Sequence, residues 1–158
     1  MIKIVAVGKL KEKYLHDAIK EYSKRISAYS KLEIIEVMDE SIGAKASDSE
    51  IEKIKKEEGS KILSKISDDD FVIVLDLNGK SLSSIELSEV VDEVFTYRTD
   101  KISFVIGGSL GFSQEVINRS NLRWKLSDCT FPHQIVRVLL VEQIYRVFKI
   151  MKNENYHK

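Results

Sequence analysis

Hydrophobic and polar positions alternate along this chain in blocks whose period changes. Ile2–Val7 is a short, nearly continuous apolar run, the pattern of a strand covered on both faces. From Glu12 to about Tyr29, the positions Tyr14, Leu15, Ala18, Ile19, Tyr22 and Ile26 recur at helical spacing. Leu32–Val37 alternates as a strand does. Ser47 followed by Glu50 is a capping-box signature. It opens a very polar helix to about Ile66, with Ile51, Ile54, Glu58, Ile62 and Ile66 on one thin stripe. Phe71–Leu77 is strongly β-prone, and Ser83 with Glu86 opens a further helix to about Tyr97. Ile102–Ile106 is again a buried-strand run and ends at Gly107-Gly108. Ser113 caps a short helix, Leu122–Ser127 is a fifth strand, and the last helix runs from about His133 to Met151. Pro132, the only proline, stands where a first helical turn tolerates it.

Five strands alternating with five helices predict a three-layer α/β fold with a mostly parallel sheet, one domain over residues 1–158. Asp39–Ala46 is the loosest stretch and reads as a mobile loop rather than a domain boundary. The 158 residues are 43% hydrophobic and 32% charged, which excludes disorder, collagen and coiled coil. No apolar run approaches the roughly 18 residues of a membrane span. The first residues enter a strand at once, without a signal-peptide pattern. Cys129, the single cysteine, cannot form an internal disulfide. It fits a reducing cytoplasm and excludes a cysteine-based metal site.

Net charge is zero but unevenly spread. Residues 67–100 carry 2 basic and 9 acidic groups, whereas residues 101–158 carry 9 basic and 4 acidic. The neutral total argues against a general nucleic-acid coat protein. The basic final third still permits a local anionic partner, though a solvated helix surface explains it as well.

Open parallel sheets bind ligands at the carboxyl ends of their strands. Three such ends stand out. Leu75-Asp76-Leu77-Asn78-Gly79-Lys80-Ser81 holds the Gly-Lys-Ser tail of a phosphate loop, but Val74 stands where the first glycine belongs, so the backbone cradle is missing. Gly107-Gly108-Ser109-Leu110-Gly111 follows a buried strand and precedes a capped helix; it suits close approach of a ligand or a plain tight turn. Leu126 to Gln134 joins the last strand to the last helix and is rich in small polar groups. There His133 reads as a base, a donor or a structural cap. Cys129 has no base placed beside it.

The last helix is apolar almost all round at Ile135-Val136 and Val138-Leu139-Leu140-Val141. Such a segment must be covered on more than one side, which in a chain this small suggests a subunit interface. The same helix carries Arg137, Glu142, Gln143, Arg146 and Lys149, charged or polar groups that need partners beside buried surface.

Together these segments are similar to one family. Thr130-Phe131-Pro132-His133-Gln134, then Arg137, then Glu142-Gln143-Ile144-Tyr145-Arg146, then Tyr156-His157-Lys158 form its C-terminal signature. Ala6-Val7-Gly8-Lys9-Leu10-Lys11 and Gly107-Gly108-Ser109-Leu110-Gly111 match as well. The chain resembles, over its whole length, the small knotted SPOUT-superfamily methyltransferases that modify a pseudouridine in large-subunit ribosomal RNA. Val147 stands where that family usually has alanine, a difference of packing.

The resemblance implies an α/β fold with a C-terminal trefoil knot, which no periodicity reveals. It implies S-adenosylmethionine as methyl donor, with no metal, bound by Leu75, Gly107, Leu126, Ser127, Asp128, Cys129, Thr130 and Phe131. It implies a homodimer whose partner completes each active site, acting in the cytoplasm on 23S rRNA of the assembled ribosome and with no membrane. The implied catalytic residues are Arg137, Glu142, Arg146, Tyr156 and His157. The pseudouridine N3 carries a proton at neutral pH, so its methylation needs an acceptor such as Glu142 or His157. An arginine would hold a phosphate or favour the deprotonated base, and Tyr156 would stack on an extruded base. From the residues alone, Glu142 and Arg146 also read as an intrahelical ion pair. The glycine loop would equally serve a non-enzymatic nucleotide-binding, ribosome-associated module.

Overall fold

The structure, a computed structural model, describes residues 1–157. Strands β1 (Ile2–Val7), β2 (Leu32–Val37), β3 (Phe71–Ser81), β4 (Ile102–Ile106) and β5 (Leu122–Lys125) alternate with helices α1 (Lys13–Ile26), α2 (Asp48–Leu63), α3 (Ser84–Tyr97), α4 (Gln114–Arg119) and α5 (His133–Met151). The sheet order is β2-β1-β4-β3-β5, and every paired strand is parallel. The expected mostly parallel sheet is thus wholly parallel among the described residues. A parallel sheet needs both faces covered, and the alternation along the central strands provides this. Ile2, Ile4 and Ala6 of β1 pack into one core with α1, α3 and α5, while Val5 and Val7 pack into a second with α2 and α4. Each fully buried aliphatic side chain contributes about 1.5–3 kcal/mol.

Both capping boxes form: Ser47 and Glu50 cap the start of α2, and Ser83 and Glu86 cap the start of α3. Helix α1 stops at Ile26 rather than Tyr29, because Ser27–Tyr29 turns away to feed β2. Strand β5 ends at Lys125 rather than Ser127, two residues earlier than its apolar pattern suggests. Strand β3 runs on past Leu77 to Ser81. It meets Trp124 twice, through Leu75 and, after a shift, through Lys80. Gly79 is required here, because a Cβ would stand 2.6 Å from the Arg123 carbonyl. This closeness keeps the end of β3 against the last strand.

Candidate active site

The carboxyl ends of β3, β4 and β5 and the first turn of α5 enclose a cavity of about 480 Å³. Small-molecule sites fall between about 300 and 1,000 Å³. Leu75, Ile106, Leu126, Phe131 and Val136 give it apolar walls, and Lys55, Asp76, Arg123 and His133 bring charge or hydrogen bonding. Asp76 is held rigid: it accepts from Arg123 Nε at 2.8 Å and from the Asn78 amide at 2.9 Å. Of the residues expected to hold a donor, Leu75, Gly107, Leu126, Ser127, Cys129, Thr130 and Phe131 line this cavity. Asp128 does not: its carboxylate accepts from Lys125 Nζ at 2.6 Å, a hydrogen bond that holds it below the usual carboxylate range.

The glycine loop works differently from the simple expectation of open backbone. A Cβ on Gly107 would stand 3.0 Å from the Phe112 ring. The glycine seats that ring, which lines the cavity, rather than facing open space. A Cβ on Gly108 would meet Glu58 Oε2 at 2.8 Å. Glu58 is 5% exposed. Its Oε1 accepts from the Glu40 amide at 3.1 Å, and Oε2 has no partner among the described residues. On the helical stripe of α2 Glu58 carries no assigned role in the sequence; a lone carboxylate in a stripe of isoleucines is the available signal. Lys55, Arg123 and Phe112 carry no such signal, since they reach the cavity from α2, β5 and the loop before α4.

A second cluster gathers Glu142, Arg146, Tyr156 and His157. Arg146 donates to Glu142 Oε1 through Nε at 3.0 Å and through its terminal nitrogen at 2.5 Å. The Tyr156 hydroxyl donates to the same oxygen at 3.1 Å, and Gln143 donates to Oε2 at 2.7 Å. Arg146 also lies 3.3 Å from His157 Nδ1. Tyr156 packs edge-on to Tyr145 at 4.8 Å, and the Arg146 guanidinium sits 4.6 Å over its ring. Burial first, then the neighbouring Tyr22 hydroxyl and the Glu142 carboxylate, push the Tyr156 phenol well above its ordinary range. At neutral pH it therefore keeps its proton and donates. Glu142 raises the Arg146 guanidinium further, so that group stays charged. The tail is anchored upstream, where Glu154 accepts from Tyr29 and Lys149. Lys158 lies outside the described residues.

Arg137 joins neither group. It is 3% exposed and donates to Glu36 Oε1 at 2.7 Å, to the Val7 carbonyl at 3.0 Å and to the Gly8 carbonyl at 2.6 Å. Nor does one chain bring cavity and cluster together. Val136 lines the cavity, and Arg146 lies about 15 Å further along α5 at about 1.5 Å per residue. Reacting atoms must approach within about 3–3.5 Å. On the same helix, Ile135, Val138 and Leu139 are only half-buried. Among the described residues, no helix is long and apolar enough to cross a membrane.

The chain is similar to known proteins over nearly its whole length. A family model described as "Predicted SPOUT methyltransferase" matches residues 1–157. A protein of Enterococcus faecalis named "Ribosomal RNA large subunit methyltransferase H" is 52% identical over 157 residues, covering 99% of each chain. Proteins of the same name from Clostridium perfringens and Listeria monocytogenes are 54% and 52% identical, again over 99% of each chain.

Proposed function

Because this chain belongs to the SPOUT methyltransferase family, we propose that it methylates N3 of a pseudouridine in large-subunit ribosomal RNA, using S-adenosylmethionine, on the assembled ribosome. The observation that carries the reading is the cavity at the ends of β3, β4 and β5, lined by all but one of the expected donor residues. Its size suits a nucleoside-sized ligand, and its composition suits the two ends of this one. Leu75, Ile106, Leu126 and Val136 would hold the purine; Lys55 and Asp76 offer opposite charges to the amino-acid end. When bound, the donor supplies a methyl carbon on a positively charged sulfur.

The remaining chemistry falls to the second cluster. Glu142 is its carboxylate and accepts the N3 proton once a donor now bound to Oε1 turns to the substrate. Arg146, held charged, stabilises the deprotonated base or grips a phosphate. Tyr156 donates a hydrogen bond to the uracil ring, and His157 passes the proton to solvent. Stacking of Tyr156 on the base requires Arg146 to leave one ring face.

Cavity and cluster meet across a homodimer. Two copies of α5 packed antiparallel about a two-fold axis would cover Ile135, Val138 and Leu139. They would also set the second half of one helix against the first half of the other. A C-terminal trefoil knot goes with this family reading, and the second pairing of β3 with Trp124 sets the end of β3 against the strand that leads into α5. The exposed thiol of Cys129 fits a reducing cytoplasm.

The test maps methylated pseudouridine by mass spectrometry in ribosomal RNA from a deletion strain, alongside calorimetry with S-adenosylmethionine. Loss of one methyl mark, restored by the gene, and donor binding by the purified protein are expected. Ribosome binding without donor binding would identify a non-enzymatic module instead.

A further inference from the structure

Gly8 to Lys11, between β1 and α1, is braced far beyond what a short connection needs. The Gly8 amide donates to the Val37 carbonyl at 2.8 Å, and the Leu10 amide donates to Glu36 Oε1 at 2.9 Å. The Lys11 amide donates to Gln134 Oε1 at 3.0 Å, and the Leu10 carbonyl lies 3.0 Å from His16 Nε2. Buried Arg137 holds the Val7 and Gly8 carbonyls and pairs with Glu36. Leu10 is buried, while Lys9 and Lys11 on either side of it are exposed. Among the described residues neither ammonium has an ionic or hydrogen-bonding partner, whereas Lys13 is taken by Asp17. Exposed Glu12 is the nearest acid in sequence. Two flexible cations are thus mounted on a rigid base without any internal task.

The mounting is also placed with respect to the cavity. His133 and Val136 of α5 line the cavity, while Gln134 and Arg137, one residue on from each, hold the β1–α1 segment. A single helical turn therefore separates the donor site from the two lysines. Resting on the proposed RNA substrate, we infer that Lys9 and Lys11 form a phosphate-gripping lip that docks the RNA backbone flanking the target nucleotide. Gln134 and Arg137 are its positioning residues. Lysine suits this task, since a point charge on a flexible stem binds phosphate without fixing sequence.

The experiment compares wild-type protein, the double variant Lys9→Ala/Lys11→Ala, and a control, Lys20→Ala/Lys24→Ala, which removes the same charge from exposed positions of α1. Methylation of purified large subunits is measured at several salt concentrations, with donor affinity by calorimetry. The lip variant should raise KM for subunits about tenfold and lower the slope of log KM against log salt by about 1.4, as two lost phosphate contacts require. Its kcat at saturating subunits and its donor affinity should stay within twofold of wild type, and the control should resemble wild type. An unchanged KM and slope in an active lip variant overturns the lip, as does an equal effect in the control. Wild-type binding to naked large-subunit RNA with lost binding to intact subunits overturns it too, and points to a ribosomal protein. No methylation by wild-type protein would instead sink the underlying function.

Discussion

The two edges of the sheet each bury a carboxylate, and they treat it differently. At the amino edge, Asp70 Oδ2 accepts from Lys3 Nζ at 3.1 Å, from Ser103 Oγ at 2.7 Å and from the Ser67 amide at 3.2 Å. Arg119 binds the carbonyls of Ser67 and Asp70 at 2.8 and 2.9 Å, and Asn121 exchanges two hydrogen bonds with Val72. At the carboxyl edge, Glu58 has one backbone amide on Oε1 and, among the described residues, no cation; each carboxylate leaves its second oxygen, Asp70 Oδ1 and Glu58 Oε2, without a partner there, so the counter-charge and the number of donors are what differ. The cavity opens beside it, with Phe131 and the 62% exposed Leu77 among its lining residues. A buried charge is tolerable when a counter-charge and several donors surround it. The amino edge meets that condition and holds the fold. The carboxyl edge holds its carboxylate with fewer donors, beside the cavity proposed to take the methyl donor.

The strongest break of this contrast is Asp70→Asn, which leaves Lys3 buried without its counter-charge. Urea unfolding should show a loss of about 3 kcal/mol, while donor affinity stays within twofold. The same site predicts acid sensitivity. Burial alone would raise Asp70, but hydrogen bonds from Ser103, Lys3 and Ser67 more than offset it, so its folded pKa lies below 3.8. Its stabilisation is therefore complete above the unfolded value and disappears as pH falls through the folded one. Wild-type stability should drop below about pH 4, and Asp70→Asn should flatten that limb; an unchanged limb would assign the acid loss elsewhere.

Next in size, Glu142→Gln should reduce methyl transfer at least a hundredfold, about 2.7 kcal/mol at the barrier. Unfolding midpoint and donor affinity should hold. Deleting Tyr156, His157 and Lys158 should act alike, and a fully active truncated protein would make the tail dispensable. Gly107→Val should then weaken donor binding about tenfold, because its side chain displaces the Phe112 ring rather than the ligand itself. Calorimetry on Phe112→Ala, in which that clash is relieved, should show Gly107→Val adding little further loss.

A smaller effect sharpens the comparison of the edges. Glu58→Gln removes a poorly partnered buried carboxylate, so stability should stay level or rise by up to about 1 kcal/mol. A loss as large as that of Asp70→Asn would show the two carboxylates to be equivalent. Least of all, Cys129→Ser should change turnover less than about threefold, since a thiol without a neighbouring base has no nucleophilic task. The wild-type thiol, exposed on the cavity wall, should be protected from alkylation by saturating donor.

Element order and type were readable because they depend on short-range period and caps. The two capping boxes and the buried runs of β1, β3 and β4 each declare themselves within ten residues. The cavity-lining loops were readable in the same way, as strand ends of a parallel sheet, with the family resemblance naming most of their residues. The tail cluster followed from that resemblance, while its saturation by hydrogen bonds did not. Asp128 and Arg137 show the limit. Both have chemistry suited to a site, yet one faces Lys125 at the surface and the other is enclosed between Glu36 and the end of β1. A residue's type states what it can do, and only its neighbours decide whether it is free to do it.

Local patterning therefore established five strands, five helices and the end of the sheet where the cavity lies, since these follow from side-chain period and turn chemistry within a few residues. Strand order, the second contact of β3 with Trp124, the burial of Glu58 behind Gly108 and the bracing of Lys9 and Lys11 by Gln134 and Arg137 were decided by tertiary structure alone. Each joins segments from tens to more than a hundred residues apart, and their proximity comes from packing two helical layers on one twisted sheet, which no local period encodes.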